Sequence, residues 1–430
     1  GCFGSRPTQA QTYSLDDCIR MALAKNQTVL NSQLDIHAAD YRIKEAKSAL
    51  LPSIDFTGQS LYYKDLPAQY APASAFGGPL GEYSKMTLSM KQTTTASLQL
   101  SQSLYNQALL TGVKVARASQ QATVLQDKVV REEVVYNVTA TYYTVQVLDD
   151  NLVRLRQNIA NLEKTIHVNA SLRDNDLVSV NVHNRMLINL ENLRNQYENQ
   201  KLLADKNLTQ LKYLMDIPAQ DSMAVEKFNY SETLISSSND DISRRLDIRL
   251  QETQVKLSRL EKKTVLAGYL PVLSNRFNYG YTAYYDQFGP GKQINDDWIK
   301  SSYFAVTLAI PVFDGFRKQN QIRQKEILIQ KNVNTLNMMK SNASREVLDA
   351  RQNYYTNKNL VLSSKKSLDL AEQLFSSAQA EYENGITSVT DFLNAQNDLS
   401  NARSNYSSAL LNLKLTELSL KKASGTLLNY

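Results

Sequence analysis

The feature that most constrains this chain is that it is written twice. Asn26-Gln27-Thr28-Val29-Leu30 leads by a helical pattern to Leu51-Pro52, and Arg245-Leu246-Asp247-Ile248-Arg249 leads at the same separation to Leu270-Pro271. Further on, LSQSLYNQ (Leu100–Gln107) faces LAIPVFDG (Leu308–Gly315), and DNDLVSV (Asp174–Val180) faces ENGITSV (Glu383–Val389). The fold must therefore be buildable from two copies of one unit.

Each copy reads as helix, extended hairpin, very long helix and return helix. Pro52 and Pro271 cannot continue the first helix and bias the preceding residue toward extended geometry. The hairpin segments alternate with period two. Ala96, Leu98, Leu100, Gln102 and Leu104 stand against Ser97, Gln99, Ser101 and Ser103; Phe277, Tyr279, Tyr281 and Tyr285, then Phe304, Val306, Leu308, Ile310 and Val312, repeat the pattern. These are strands of about ten residues, long enough to cross a bilayer when tilted. The loop between the first pair, around Pro67, Pro72, Gly77, Gly78, Pro79 and Gly81, and the shorter one around Gly289, Pro290 and Gly291 lack the periodicity of a buried element.

From about Gln107 to Arg173 the pattern becomes helical. Val134, Val138, Thr141, Val145, Leu148, Leu152, Leu155, Ile159, Leu162 and Ile166 recur at steps of four and three, the 3.5-residue period of a left-handed coiled coil. The second copy uses smaller residues: Ala343, Val347, Ala350, Tyr354, Leu368, Ala371, Ala378 and Tyr382. Each of these helices would be on the order of 100 Å long, too long for an ordinary globular domain. On the second return helix Phe392, Ala395, Leu399, Ala402, Tyr406, Ala409, Leu413 and Leu420 form one seam. Asp391, Asn394, Asp398, Asn401, Asn405, Ser408 and Asn412 form a polar row beside it. Most such rows are solvated helix surface.

Composition narrows the class. A net charge of +6 is spread at helical spacing with no basic block, which gives nucleic-acid binding no footing. No window approaches the roughly 18 consecutive apolar residues of a membrane-spanning helix, so membrane entry requires a closed β-barrel. His37, His167 and His183 stand apart on helical runs, without metal-ligand spacing. There is no nucleophile elbow or phosphate loop, so neither an enzyme nor a cofactor is expected. Trp298 and the tyrosines near the strands fit an interfacial aromatic girdle.

The first residues, GCFGSRPTQAQTYS, contain the small-x-small triplet Thr8-Gln9-Ala10, like the end of a secretory signal. Export is expected, with Gln11 as the mature start; Cys2 is either an acylated cysteine or part of the signal tail. The expected division is a signal remnant or N-terminal tail over 1–12, repeat 1 over 13–214 with its hairpin at about 53–106, and a linker over 215–238. Repeat 2 extends over 239–420 with its hairpin at about 272–313, and a tail covers 421–430. The linker and the C-terminal residues are expected to form a small irregular region together.

The arrangement resembles the TolC family of outer-membrane efflux proteins from about Tyr13 onward. The residues that carry the likeness are Ser14-Leu15-Asp16-Asp17 with Ala22-Leu23 and Asn26, Leu51-Pro52 and Leu270-Pro271, Pro311-Val312-Phe313-Asp314-Gly315, and the series Tyr382, Gly385, Asp391, Leu393, Ala395-Gln396 and Leu399. The resemblance implies an α+β membrane protein. Three chains of four strands each share a twelve-stranded barrel, continued by a hollow α-helical coiled-coil barrel through the periplasm. It also implies a passive exit duct of a tripartite efflux or type I secretion system, working with a periplasmic adaptor and an inner-membrane RND or ABC transporter.

On this likeness Asp391, Asn394 and Asp398 line a pore constriction, and Tyr382 belongs to a tip gate. Asp176, Leu177, Val178, Gly385, Ile386 and Thr387 form the tip that meets the adaptor. Repeat 1 departs from the pattern, with Asp176 in place of the tip glycine and Val182 in place of an aspartate. The competing class is a coiled-coil scaffold without a pore, for which the four alternating segments would have no use.

Overall fold

The computed structural model describes residues 11–87, 89–173, 179–228, 242–288, 294, 298–384 and 386–428. Cys2, Asp176, Leu177, Val178 and Gly385 lie outside them. The elements run β1 (Gln11–Tyr13), α1 (Leu15–Lys25), α2 (Gln27–Ser48), β2 (Ser53–Tyr62), β3 (Gln69–Pro72), β4 (Tyr83–Met86), β5 (Gln92–Tyr105), α3 (Gln107–Arg173) and α4 (Val180–Leu214). They continue with β6 (Met223–Val225), α5 (Leu246–Ala267), β7 (Val272–Tyr285), β8 (Ile299–Ala309), α6 (Arg317–Glu383) and α7 (Val389–Ala423). The duplication is visible in the lengths: α3 and α6 each have 67 residues, and α4 and α7 each have 35.

The two copies do not make two domains. One compact unit takes residues 1–37, 121–254 and 331–430, and the other takes 38–120 and 255–330. Each unit thus draws on both repeats.

The second unit holds a four-stranded antiparallel sheet in the order β2-β5-β7-β8. Its registers sort the side chains. Ile54, Leu100, Phe277 and Phe304 form one cross-strand row, and Phe56, Leu98 and Tyr279 form another on the same face. The opposite face carries Asp55, Gln99, Asn278 and Tyr303, then Thr57, Ser97, Gly280 and Ser301, then Gln59, Thr95 and Thr282. A side chain at Gly280 would bring its Cβ to 2.7 Å from the Ser97 Cβ, so this crossing admits only glycine without displacement. The long helices leave the sheet through equivalent caps. Asn106 Oδ1 accepts from the Ala108 amide at 3.0 Å, and Asp314 Oδ2 accepts from the Lys318 amide at 3.2 Å.

The first long loop differs from its expectation. It carries an antiparallel pair of its own, β3 with β4, around a short 3-10 turn (Ala73–Phe76) that ends at Gly77 with φ +83°. Four-residue strands are too short for alternation to be legible, and glycine supplies the left-handed position that reverses the chain.

The first unit is helical, with a small parallel pair of β1 and β6. Cys18, Ala22 and Val29 pack on Val134, Val138 and Tyr142 of α3 and on Leu211 of α4. Tyr142 donates to the Tyr13 carbonyl at 3.1 Å, and Asn26 Nδ2 donates to the Leu214 carbonyl at 2.9 Å. Burial pushes the Cys18 thiol up to about 12, so it behaves as a small apolar core residue.

In the described part of the linker, Met223–Val225 pair in parallel with Gln11–Tyr13 of the N-terminal segment, and residues 229–238 lie outside the described residues. Leu427 is buried with Val135 and Leu418, and Gly425, at φ +67°, lies against the Arg244–Arg245 backbone.

Candidate functional site

Two places in this fold, one in each unit, hold the features that the sequence singled out. The first is the sheet. Its apolar face runs from the Leu273–Leu308 pair to the Tyr281–Lys300 pair, roughly 26 Å along a strand, close to the height of a lipid-facing band. Ile54, Phe56 and Phe304 on that face are 68%, 70% and 65% exposed. At the loop end Tyr279 and Tyr281 share a hydrogen bond of 3.0 Å, and Lys300 Nζ stands 5.0 Å from the Tyr279 ring. Aromatic rings with a reaching lysine suit a membrane–water boundary.

The second place is the α6–α7 reversal. The Ile386 amide donates to the Glu381 carbonyl at 2.8 Å, a six-to-one bond of the kind that closes a helix end. The next helix begins at once with a variant of the capping box in which Asp391 accepts from the Ser388 hydroxyl. Ser388 Oγ donates to Asp391 Oδ2 at 2.6 Å and accepts from the Asp391 amide at 3.1 Å, satisfying a first-turn donor and favouring a negative charge at the helix start. The opening sequence Ser-x-x-Asp carries this signal directly, and the transport-based reading of Asp391 passed over it.

Tyr382 is half-buried and lies on the Phe392 ring, with centroids 5.1 Å apart and planes 17° apart. Phe375 approaches the other way at 5.8 Å. These rings join Leu155 and Leu162 of α3 with Met186, Leu190 and Leu193 of α4 in one cluster. Phe375 sits seven residues before Tyr382, a heptad spacing that could have revealed it.

Beyond the reversal, Phe392, Ala395, Leu399, Ala409, Leu413 and Leu420 are buried, whereas Asp391, Asn394, Asp398, Asn401, Asn405, Ser408 and Asn412 are all exposed. The seam and the polar row fall where the 3.5-residue period puts them. Of the tip residues, Ile386 is 75% exposed and Thr387 is half-buried. Among the described residues no helix is long and apolar enough to cross a membrane, and no group of His, Cys, Asp and Glu is placed to hold a metal ion.

A family model described as outer membrane efflux protein matches residues 18–211 and 238–426. Outer membrane protein TolC of Escherichia coli is 23% identical over 441 residues, covering 97% of this chain and 83% of that protein. The Salmonella enteritidis protein of the same name is 22% identical, covering 98% and 83%. Among solved structures, the Campylobacter jejuni CmeC outer membrane channel is similar with a TM-score of 0.77 at 17% identity, covering 98% of this chain and 91% of its own. CusC, whose structures concern transmembrane channel formation, gives 0.78 at 17%, covering 98% and 95%. The family model spans both repeats, the sheet has one apolar face and one polar face, and the fold is that of known channels. The chain belongs to the outer membrane efflux protein family, whose members are channels of the cell outer membrane and not enzymes.

Proposed function

We propose that this chain is the passive exit duct of a tripartite efflux or type I secretion assembly, and that it works as a homotrimer extending from the outer membrane into the periplasm. The observation that carries the trimer is the sheet. Strands β2 and β8 form its two edges, and an open edge in lipid leaves backbone groups unsatisfied. Because successive strands are antiparallel, β8 of one copy beside β2 of the next continues the alternation. Copies then close head to tail into a ring. Three copies give twelve strands, with the Asp55–Gln99–Asn278 face lining the lumen and the Ile54–Leu100–Phe277 face toward lipid.

In this reading the repeats keep the division 13–214 and 239–420, joined by the linker 215–238. Asp391, Asn394 and Asp398 turn toward the pore axis, where three Asp391 carboxylates favour cations and repel anions. Tyr382 belongs to the gate through its packing on Phe392. Ile386 and Thr387, with Asp176, Leu177, Val178 and Gly385, meet a periplasmic adaptor that couples the duct to an inner-membrane RND or ABC transporter, which supplies the energy. Cys2 is the candidate site of acylation.

The test is single-channel conductance in a planar bilayer, wild type beside Asp391→Asn. Asparagine keeps an acceptor for Ser388, so the helix start is preserved while the charge is lost. Small cation-selective openings are expected, with selectivity weakened in the variant. Unchanged selectivity would remove Asp391 from the pore axis, and a folded trimer that never conducts would remove the duct.

A further inference from the structure

We propose that the groove between α3 and the α6–α7 reversal binds an uncharged, flat aromatic molecule that carries a hydrogen-bond donor. The groove has a volume of about 730 Å³, within the range of small-molecule sites. One wall is the aromatic ladder of Phe375, Phe392 and Tyr382, and the facing wall is Leu162 and Val168 of α3. A planar ring between such walls gains stacking on one side and aliphatic contact on the other.

The polar anchor is Gln396, one helical turn beyond Phe392. It lines the groove and is 6% exposed, and its Oε1 is buried without a hydrogen-bond partner. An unsatisfied buried carbonyl oxygen favours a ligand that brings an N–H or O–H and disfavours one that does not. Lys164 and Glu383 both line the groove, and their opposite charges leave no net preference for an ion. A molecule seated there touches α3, α6 and α7 at once. It therefore favours the arrangement in which α7 stays against α3 over any in which they separate. The inference concerns a ligand and does not rest on adaptor docking or on the role of Asp391.

The probe is 5-fluoroindole, followed by fluorine NMR against the full chain in detergent, beside 5-fluoro-1-methylindole, which lacks the donor. Saturable binding with Kd on the order of 1 mM is expected for so small a molecule. The methylated probe should bind about fivefold or more weakly, which is the worth of one hydrogen bond. In Gln396→Leu, which replaces the unpaired amide by an apolar group of similar size and should fold, the two probes should bind alike. Val168→Trp, made from an exposed position, should fill the groove and abolish saturable binding of both. Absence of saturable binding to the folded protein would overturn the proposal. So would equal affinity of the two probes for the wild type, or binding undisturbed by Val168→Trp, since either would mean that the probe sits in the detergent micelle or elsewhere on the chain.

Discussion

In both repeats a 67-residue helix is followed by a 35-residue return helix, and the two return helices start differently. In repeat 2 the return helix starts from Ser388 with Asp391 completing a capping box, and Phe375, Phe392 and Tyr382 form a ladder behind it. The corresponding positions of repeat 1 are Ser179, Val182, Ile166, His183 and Arg173. There the box is missing, because valine offers no acceptor, and Ser179 Oγ accepts one amide, that of Asn181, at 3.3 Å. The two copies share their helix lengths and differ in the residues that hold the start of each return helix. The start of α7 should therefore be held more firmly than the start of α4.

The largest expected difference comes from the ladder. Phe392 is buried between two rings and the α3–α4 cluster, so Phe392→Ala should cost about 3–5 kcal/mol. His183 is only half-buried, and His183→Ala should cost about 1 kcal/mol or less. Thermal melts with hydrogen exchange resolved to the first turns of α4 and α7 measure both. Equal losses would mean that the ladder is no anchor. Next comes the cap. Ser388→Ala removes both bonds of the box and should cost about 1–2 kcal/mol, against about 0.5 kcal/mol for Ser179→Ala. Amide exchange at Asp391 and at Asn181 should rise in that proportion.

Much of this was legible in the sequence because it is periodic. The seam from Val134 to Ile166 and the alternation from Ala96 to Leu104 each repeat one geometric demand many times, so their message survives any single substitution. The strand pair β1–β6 was illegible for the opposite reason. Three residues of Gln-Thr-Tyr meet three of Met-Ala-Val, and neither segment is long enough to show a period. Asp391 shows a different failure. Its place in the chain matched a family position read for its charge, and that reading hid the local Ser-x-x-Asp signal that the hydrogen bonds now display. The aromatic ladder fell between these cases, since Phe392 and Tyr382 stood in the seams while Phe375, a heptad before Tyr382, was passed over.

The comparison can be sharpened by giving repeat 1 what it lacks. Val182→Asp places a carboxylate three residues after Ser179, at the start of a helix where negative charge is favoured. It should stabilise the α4 start by about 0.5–1 kcal/mol, read as slower exchange of its first-turn amides. No change would show that Ser179, whose oxygen now reaches Asn181, cannot swing back to form the box.

The smallest effect is a pH dependence, and α1 displays it in isolation. Ser14 and Asp17 form the same box, with Ser14 Oγ donating to Asp17 Oδ2 at 2.8 Å and accepting from the Asp17 amide at 3.2 Å. The Ser14 side-chain hydrogen bond holds the Asp17 carboxyl below its ordinary 3.8, against a smaller opposing effect of burial and with help from Arg20. A carboxyl whose folded value is depressed stabilises the fold fully above its unfolded value and loses that contribution as pH falls through the folded one. The first turn of α1 should therefore hold at pH 5 and begin to fray below pH 3.8. Amide protection at Asp17 and Cys18, measured across that interval, should fall in the wild type and fall less in Ser14→Ala, which loses the largest cause of the lowered value and keeps the backbone hydrogen bond and Arg20. The start of α4 has no carboxylate in its cap and should show no loss from this source. A parallel fall at Asn181 and Val182 would mean that the acid sensitivity belongs to the helix bundle as a whole and not to the box that separates the two reversals.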